Sequence, residues 1–437
     1  MTTIRLKKGY DLNLKGGISD PAVGDVVKSK LYAVTPDDFV GLVPRMDKRE
    51  GDPVTAGEAL YHDKTHDEIQ VVSPVTGVVK EVRRGARRHI DAIIIEADGS
   101  DDTMRVVEGD PKSVLLASGL WAMLRQRPYD IVPDPDVRPR DIFVTGFDSA
   151  PLAPDLAVVL GDDKQYLTKG VEVLKRLTDG DVYLGFRPGQ EMEAAGAVVN
   201  TFKGPHPAGN AGVQLANVKP VNKGEVVWTL DVVTLARIGR LFATGKVSHE
   251  TVVAITGECV SQPRYVRTTM GCPMSSLLDG VDTANARIIS GNVLTGQRVD
   301  ADGYLRAPYR QVTVIPEVAQ ADEFMGWASL CPSRFSIYRT FTSWLTGKKA
   351  VSMDARIKGG ERAIVRTDEY DDMLPMDIYA EFLVKAIITF DIDKMEQLGI
   401  YEVAPEDFAL AEYACTSKLE LQRIVRESLE RLRAEMA

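Results

Sequence analysis

The chain has 437 residues, 44% hydrophobic and 27% charged, enough apolar content for several cores at roughly 150 residues per domain. Lys plus Arg total 53 against 63 for Asp plus Glu, a net charge of −10, which speaks against a nucleic-acid binder with its basic footprint. Cys259, Cys272, Cys331 and Cys415 lie 13, 59 and 84 residues apart. With no C-x-x-C pair they read as reduced thiols of a cytosolic protein, not as zinc or iron–sulfur ligands. The opening MTTIRLKKGYDL has no apolar h-region. LLASGLWAML and FLVKAIITF fall short of the roughly 18 apolar residues of a membrane span. The expectation is a chain that neither is secreted nor spans a bilayer, but that is free to attach peripherally.

Residues 1–35 form an opening segment with Gly and Asp turns. Over 36–105, short period-2 apolar stretches are bounded by Gly51-Asp52, Gly57 and Ser73-Pro74, the texture of a small all-β module. The spacing resembles a biotinyl/lipoyl-type barrel-sandwich. Lys64, ten residues before Pro74 and seven after Gly57, sits off the expected hairpin tip at Thr65-His66-Asp67-Glu68, so a structural module is favoured over an acyl or biotin carrier. Over 106–249 the pattern predicts a Rossmann-like α/β layer. A helix begins near residue 110 and ends before Pro128, strands follow at Ile142–Thr145, Leu156–Leu160 and Val182–Leu184, and Leu167, Val171, Leu174 and Leu177 keep helical spacing. Over 250–330 four strands (Val252–Ile255, Tyr265–Arg267, Ala286–Ser290, Gln311–Ile315) and a helix near Ser275–Leu278 predict a β-grasp-like sheet. Over 331–437 a C-terminal helical domain is expected, with helices at Met376–Ile388, Asp391–Leu398 and a tail whose S-x-x-E capping box is Ser417 with Glu420. The fold class is thus multidomain α/β.

The stretch Gly204-Pro-His206-Pro-Ala-Gly209-Asn-Ala-Gly212 reads either as a ligand loop, with His206 as hydrogen-bond donor, or as a tight connection. It is not a dinucleotide fingerprint, because prolines flank His206. His62-x-x-x-His66 has metal-ligand spacing for a helix, but a hairpin is expected there, so no metal site is assigned. Arg83-Arg84-Gly85-Ala86-Arg87-Arg88 would meet anionic lipid or an acidic partner, or protect a sheet edge. Arg125, Arg127 and Tyr129 combine cationic donors with an aromatic wall, as a quinone head requires, although domain docking is the somewhat better explanation on sequence alone. No catalytic constellation is found.

Taken in order, RLKKGYDLNLKG, Gly51-Asp52 to Lys64, Ser73-Pro-Val-Thr-Gly77, Arg84-Gly-Ala-Arg-Arg88, Gly119-Leu-Trp121 with RQRPYD, IFVTGFDSAPLAPD, GPHPAGNAG, ARIISGNVLTG and Leu374-Pro-Met-Asp377 resemble the NqrA family, whose members are components of the Na+-translocating NADH:quinone oxidoreductase. The resemblance runs from residue 4 into the C-terminal helix. It departs at Cys415-Thr-Ser-Lys418, where many members have Cys-Pro-Gly-Lys, and after Gly326-Trp327-Ala328, where Leu330-Cys331-Pro332 follows. It implies a peripheral component on the cytoplasmic face of the bacterial inner membrane, with five other subunits, membrane subunits among them, as partners. Electrons would pass from NADH to quinone, coupled to Na+ export. NADH, flavins and an iron–sulfur centre would be held by sister subunits, with no covalent cofactor here and quinone as substrate. The quinone-binding candidates are Arg125, Arg127, Tyr129 and His206. The alternative is a soluble flavin- or nucleotide-dependent oxidoreductase; a related Rnf protein is disfavoured by its cysteine runs, which are absent here.

Overall fold

In the computed structural model, residues 2–100, 109–318, 336–339, 341–346, 350–357, 359–366 and 368–436 are described; the Gly326-Trp327-Ala328 segment and Cys331 lie outside them. The N-terminal unit is a two-sheet sandwich. Strands β3 (Leu31–Val34), β9 (Ile90–Ala97), β8 (Gly77–Arg84) and β5 (Pro53–Val54) make one antiparallel sheet in that order, and β4 (Pro44–Met46), β6 (Ala59–Asp63) and β7 (Gln70–Val72) the other. Tyr61, Val71, Val79, Ile93 and Ile95 are buried in the core of the sandwich, Ile93 and Ile95 at the period-2 spacing of a strand. Lys64 is exposed in the turn between β6 and β7.

The second unit is a six-stranded sheet in the order β1 (Thr2–Arg5), β13 (Val198–Lys203), β12 (Val182–Phe186), β11 (Asp141–Thr145), β14 (Val227–Asp231), β10 (Arg125–Arg127). All strands are parallel except β10, which runs antiparallel to β14. Helices α3 (Leu167–Lys175) and α5 (Val232–Thr244) cover the face carrying Ile142, Val144 and Leu184, while α4 (Ala211–Val218) covers Phe143 and Val227. Two expectations are corrected. Leu156–Leu160, read as a strand, is helix α2: Asp155 accepts the Ala157 N–H at 2.8 Å, and Leu156, Val159 and Leu160 are buried at helical spacing. The helix expected to run on towards Pro128 is α1 (Pro111–Ala117), which stops early because Gly119 takes φ +76. A 3₁₀ turn at Trp121–Met123 and strand β10 follow.

The third unit is a sheet in the order β18 (Gln297–Val299), β17 (Ala286–Ser290), β19 (Gln311–Pro316), β15 (Glu250–Thr256), β16 (Arg264–Thr269), β2 (Val23–Val26), with the short helix α6 (Met274–Leu277). The four expected strands are present, and β18 and β2 extend them to six. The last unit packs α7 (Ala380–Thr389), α8 (Ile392–Gln397), α9 (Ala409–Ala414) and α10 (Leu421–Met436). Its core is continuous with Leu6, Phe147, Phe202 and Val213 of the second unit. The expected capping box is not formed, because Ser417 precedes the first turn by too much. Its hydroxyl donates to the Ala363 carbonyl, and Glu412 instead accepts the Gln422 N–H at 2.8 Å.

Candidate functional site

Chain connections leave β11 towards β12 on one side and place β14 on the other, so the parallel sheet has a topological switch point, the place where open α/β sheets commonly bind ligands. The loop after β11 brings Asp148 and Ser149, the end of β14 brings Asp231, and Arg187 follows β12. Burial would raise the Asp231 pKa, but Arg310, which pairs with it, and the Thr234 N–H at 2.7 Å hold it below the usual range. Asp148 reaches solvent, yet surrounding protein and then the Asp231 charge hold its pKa up, against Arg310 and Arg187. Arg187 lies over the Phe147 ring at 5.0 Å.

Ser149 Oγ lies 3.0 Å from His206 Nδ1 and accepts the Gly209 N–H at 2.8 Å; the Asp11 carboxylate accepts the His206 backbone N–H at 2.8 Å. These are the residue types of a nucleophilic triad in the wrong arrangement. Here the acid meets the backbone and the serine oxygen is already an acceptor, while Nε2 is buried without a partner among the described residues. Burial drives the His206 pKa down to about 4, so the ring is neutral. The glycines serve packing: a Cβ on Gly209 would stand 2.6 Å from the Ser149 nitrogen, and one on Gly212 2.4 Å from an Asp407 oxygen. The Gly-rich stretch is therefore a tight connection pressed against the chain itself.

Arg125 donates to the carbonyls of Ala122 (3.1 Å), Leu124 (3.2 Å) and Asp38 (2.7 Å), tying the layer to the sandwich. Arg127 is fully buried and pairs with Asp407 at 3.1 Å and Glu406 at 3.2 Å, tying the layer to the C-terminal helices. Tyr129 packs edge-on to Tyr401 at 6.3 Å, and its carbonyl accepts from Arg426. Of the four candidates, Arg127, Tyr129 and His206 lie at the junction with the helical unit, and Arg125 faces the other way. Arg127 Nε and His206 Nε2 are buried without a partner among the described residues. Sequence reasoning missed Glu406, Asp407, Asp130 and Arg426 around them, and the separate Asp231–Arg310 pair. An acidic pair following Pro405 was the one available signal.

A hollow of about 30 Å³, lined by Asp38, Phe39, Val71, Met123, His249 and Met270, lies between the sandwich, the layer and the third sheet. It has room for a water but not for a ring. A wider hollow of about 610 Å³ beside β4 and β6 is lined mostly by polar groups, Arg45, Asp47, His62, Asp67 and Gln70. His62 and His66 do not converge. His62 bonds Asp47 at 2.8 Å, and His66 lies instead with Asp134 and Asp136, partly exposed acids of a kind common without any ion.

Three family profiles match in chain order: an NqrA N-terminal barrel-sandwich hybrid domain over residues 4–98, an NqrA second alpha/beta domain over 108–247, and an NQRA C-terminal domain over 252–301. The NqrA component of the Na(+)-translocating NADH-quinone reductase of Hahella chejuensis is 34% identical, covering 99% of this chain and 100% of that one. The chain belongs to the NqrA family. The same component from Rhodopirellula baltica is 35% identical (99% and 98% covered), and that from Neisseria meningitidis 33% (99% and 100%). These family members are named as subunits of an oxidoreductase complex. The first profile fits the two-sheet sandwich, and the second fits the layer that carries the switch point. No helix among the described residues is long and apolar enough to cross a membrane.

Proposed function

We propose that this chain is a peripheral component of a Na+-translocating NADH:quinone reductase, docked on the cytoplasmic face of the membrane. There it contributes to quinone binding as part of the assembly while electrons pass from NADH to quinone and Na+ is exported. The observation that carries this reading is the full-length similarity to NqrA proteins. Flavins, the iron–sulfur centre and NADH belong, on this reading, to sister subunits. Arg125, and Arg127 through its two terminal nitrogens, donate to the protein's own carbonyls and carboxylates, and His206 is neutral and enclosed. That wiring supports a chain completing a site in the complex over one holding quinone alone, with the Tyr129 ring the group best placed to face an added partner. The soluble-oxidoreductase alternative would use the strand ends at the switch point, where Asp231 is already paired with Arg310. The test is to prepare membranes from a strain lacking the gene and add the purified chain back, reading Na+-dependent quinone reduction and, separately, soluble-quinone binding to the free chain. Restored activity without binding by the free chain is expected. Stoichiometric flavin on the purified chain, or NADH oxidation by it alone, would overturn the reading.

A further inference from the structure

Helix α7 is apolar on two sides. Ala380, Leu383, Val384 and Ile387 face the core, which accounts for one side. Tyr379, Phe382 and Ile388 stand out at 69%, 60% and 53% exposure, and with Lys385 they recur every third residue. They therefore make one i±3 ridge, the feature that one helix inserts into the groove of another. Helix α10, in the same unit, is the internal contrast: it buries Val425, Leu429 and Leu432 and turns Arg423, Glu427 and Glu430 outward, as a solvent-facing helix does. The ridge is preorganised. Tyr379 and Phe382 meet edge to face at 6.3 Å, Lys385 Nζ lies over the Phe382 ring at 5.6 Å, and Arg431 covers the Phe390 ring at 3.6 Å beside the helix end. Lys385 is bonded to the buried Glu381 at 2.6 Å, whereas Arg431 has no carboxylate partner among the described residues.

We infer that this ridge is covered by a helix of another subunit of the same reductase, one with an apolar face and a carboxylate placed to meet Arg431. The inference rests on the function proposed above, which requires a partner surface because no described helix can span the bilayer. Arg431, beside the ridge and without a carboxylate partner among the described residues, argues for a carboxylate on the helix that covers it. Large aromatics beside an arginine are residue types enriched in interface hot spots, where truncating one such group weakens binding about 30-fold.

The test uses the affinity-tagged full chain, solubilised from membranes with its complex, as wild type and as Tyr379→Ser, Phe382→Ser and Ile388→Ser, with Arg423→Ser on α10 as control. The wild type must first retain membrane subunits and Na+-dependent quinone reductase activity. If it does not, the proposed function itself falls. With the wild type intact, the Phe382→Ser chain is expected to keep its melting temperature and lose sister subunits about 30-fold more readily on washing, and the control is expected to behave as wild type. A photo-crosslinker placed at 382 in the assembled complex should join another subunit. Ridge variants that stay bound like wild type, or a crosslink only to a second copy of this chain or to lipid, would overturn the inference.

Discussion

Replacing Arg127 by Leu tests the wiring of the junction most directly. The guanidinium is fully buried and bridges Asp407, whose side chain is also fully buried, and Glu406, whose side chain is 42% exposed. Leucine leaves the Asp407 carboxylate with one donor, the Ala404 N–H at 2.9 Å. An uncompensated buried charge costs about 3–5 kcal/mol, whereas the half-exposed Glu406 pair adds at most about 1 kcal/mol. Against a typical domain stability of roughly 5–15 kcal/mol the loss is large. It should lower the melting of the layer and helical unit by about 10 °C, with protease cuts appearing between them. Asp407→Asn added to Arg127→Leu should recover about half, since it removes the stranded charge rather than the contact. The single variant's loss should persist in 1 M salt, because a buried pair is little screened. A loss under about 1 kcal/mol, or no recovery in the double variant, would refute the assignment of Arg127 as a buried tie.

Three further outcomes are measurable. The His206 pKa is depressed from 6.5 to about 4, chiefly by burial, so its contribution is full above pH 6.5 and is lost as pH falls towards 4. That is worth roughly 3 kcal/mol, and the stability gap between wild type and His206→Asn should shrink between pH 7.5 and 4.5; a constant gap in urea melts contradicts it. Glu406 has the opposite sign. Burial, then the Asp407 charge, raises its pKa, so its contribution is present below the ordinary carboxylate range and falls as pH rises above it, and Glu406→Gln should flatten the alkaline side of the stability profile. Glu412→Ala, which removes the acceptor for the Gln422 N–H, should cost α10 about 1 kcal/mol, seen as faster hydrogen exchange confined to its first turn.

Elements whose signal is local were legible. The Leu167–Leu177 spacing became α3, the strand runs of the third unit fell where alternation put them, and the tail became α10. Leu156–Leu160 misled because a five-residue apolar run fits strand and helix alike, and the deciding cap, Asp155, looks like any loop acid. The Arg125–Tyr129 segment was legible as a set of donors but not as a dock, because the acid that satisfies Arg127 lies 280 positions away. The six-stranded form of the third sheet was hidden for the same reason: β2, at its edge, comes from the first 26 residues and pairs with β16.

That distribution gives the opening segment a mechanical role. Beyond β1, the Gly9 N–H donates to the Asp372 carbonyl at 2.9 Å, the Tyr10 N–H to the His206 carbonyl at 2.8 Å, and Asp11 accepts the His206 N–H. Leu6, Leu12 and Leu14 are buried in the core shared with the C-terminal helices. The segment is thus a strap that holds the Gly-rich connection and the helical unit in one arrangement. Asp11→Ala removes a charged acceptor from a partly buried N–H, at a cost of about 1–2 kcal/mol. Because the same loop seats Gly212 against Asp407, the loosening should reach the Arg127 tie. Hydrogen exchange should therefore rise at His206 and also in α9 and at β10, while the N-terminal sandwich stays unchanged. Exchange confined to His206 would show that the strap is local, and that the helical unit is held by its apolar core and the Arg127 pair alone.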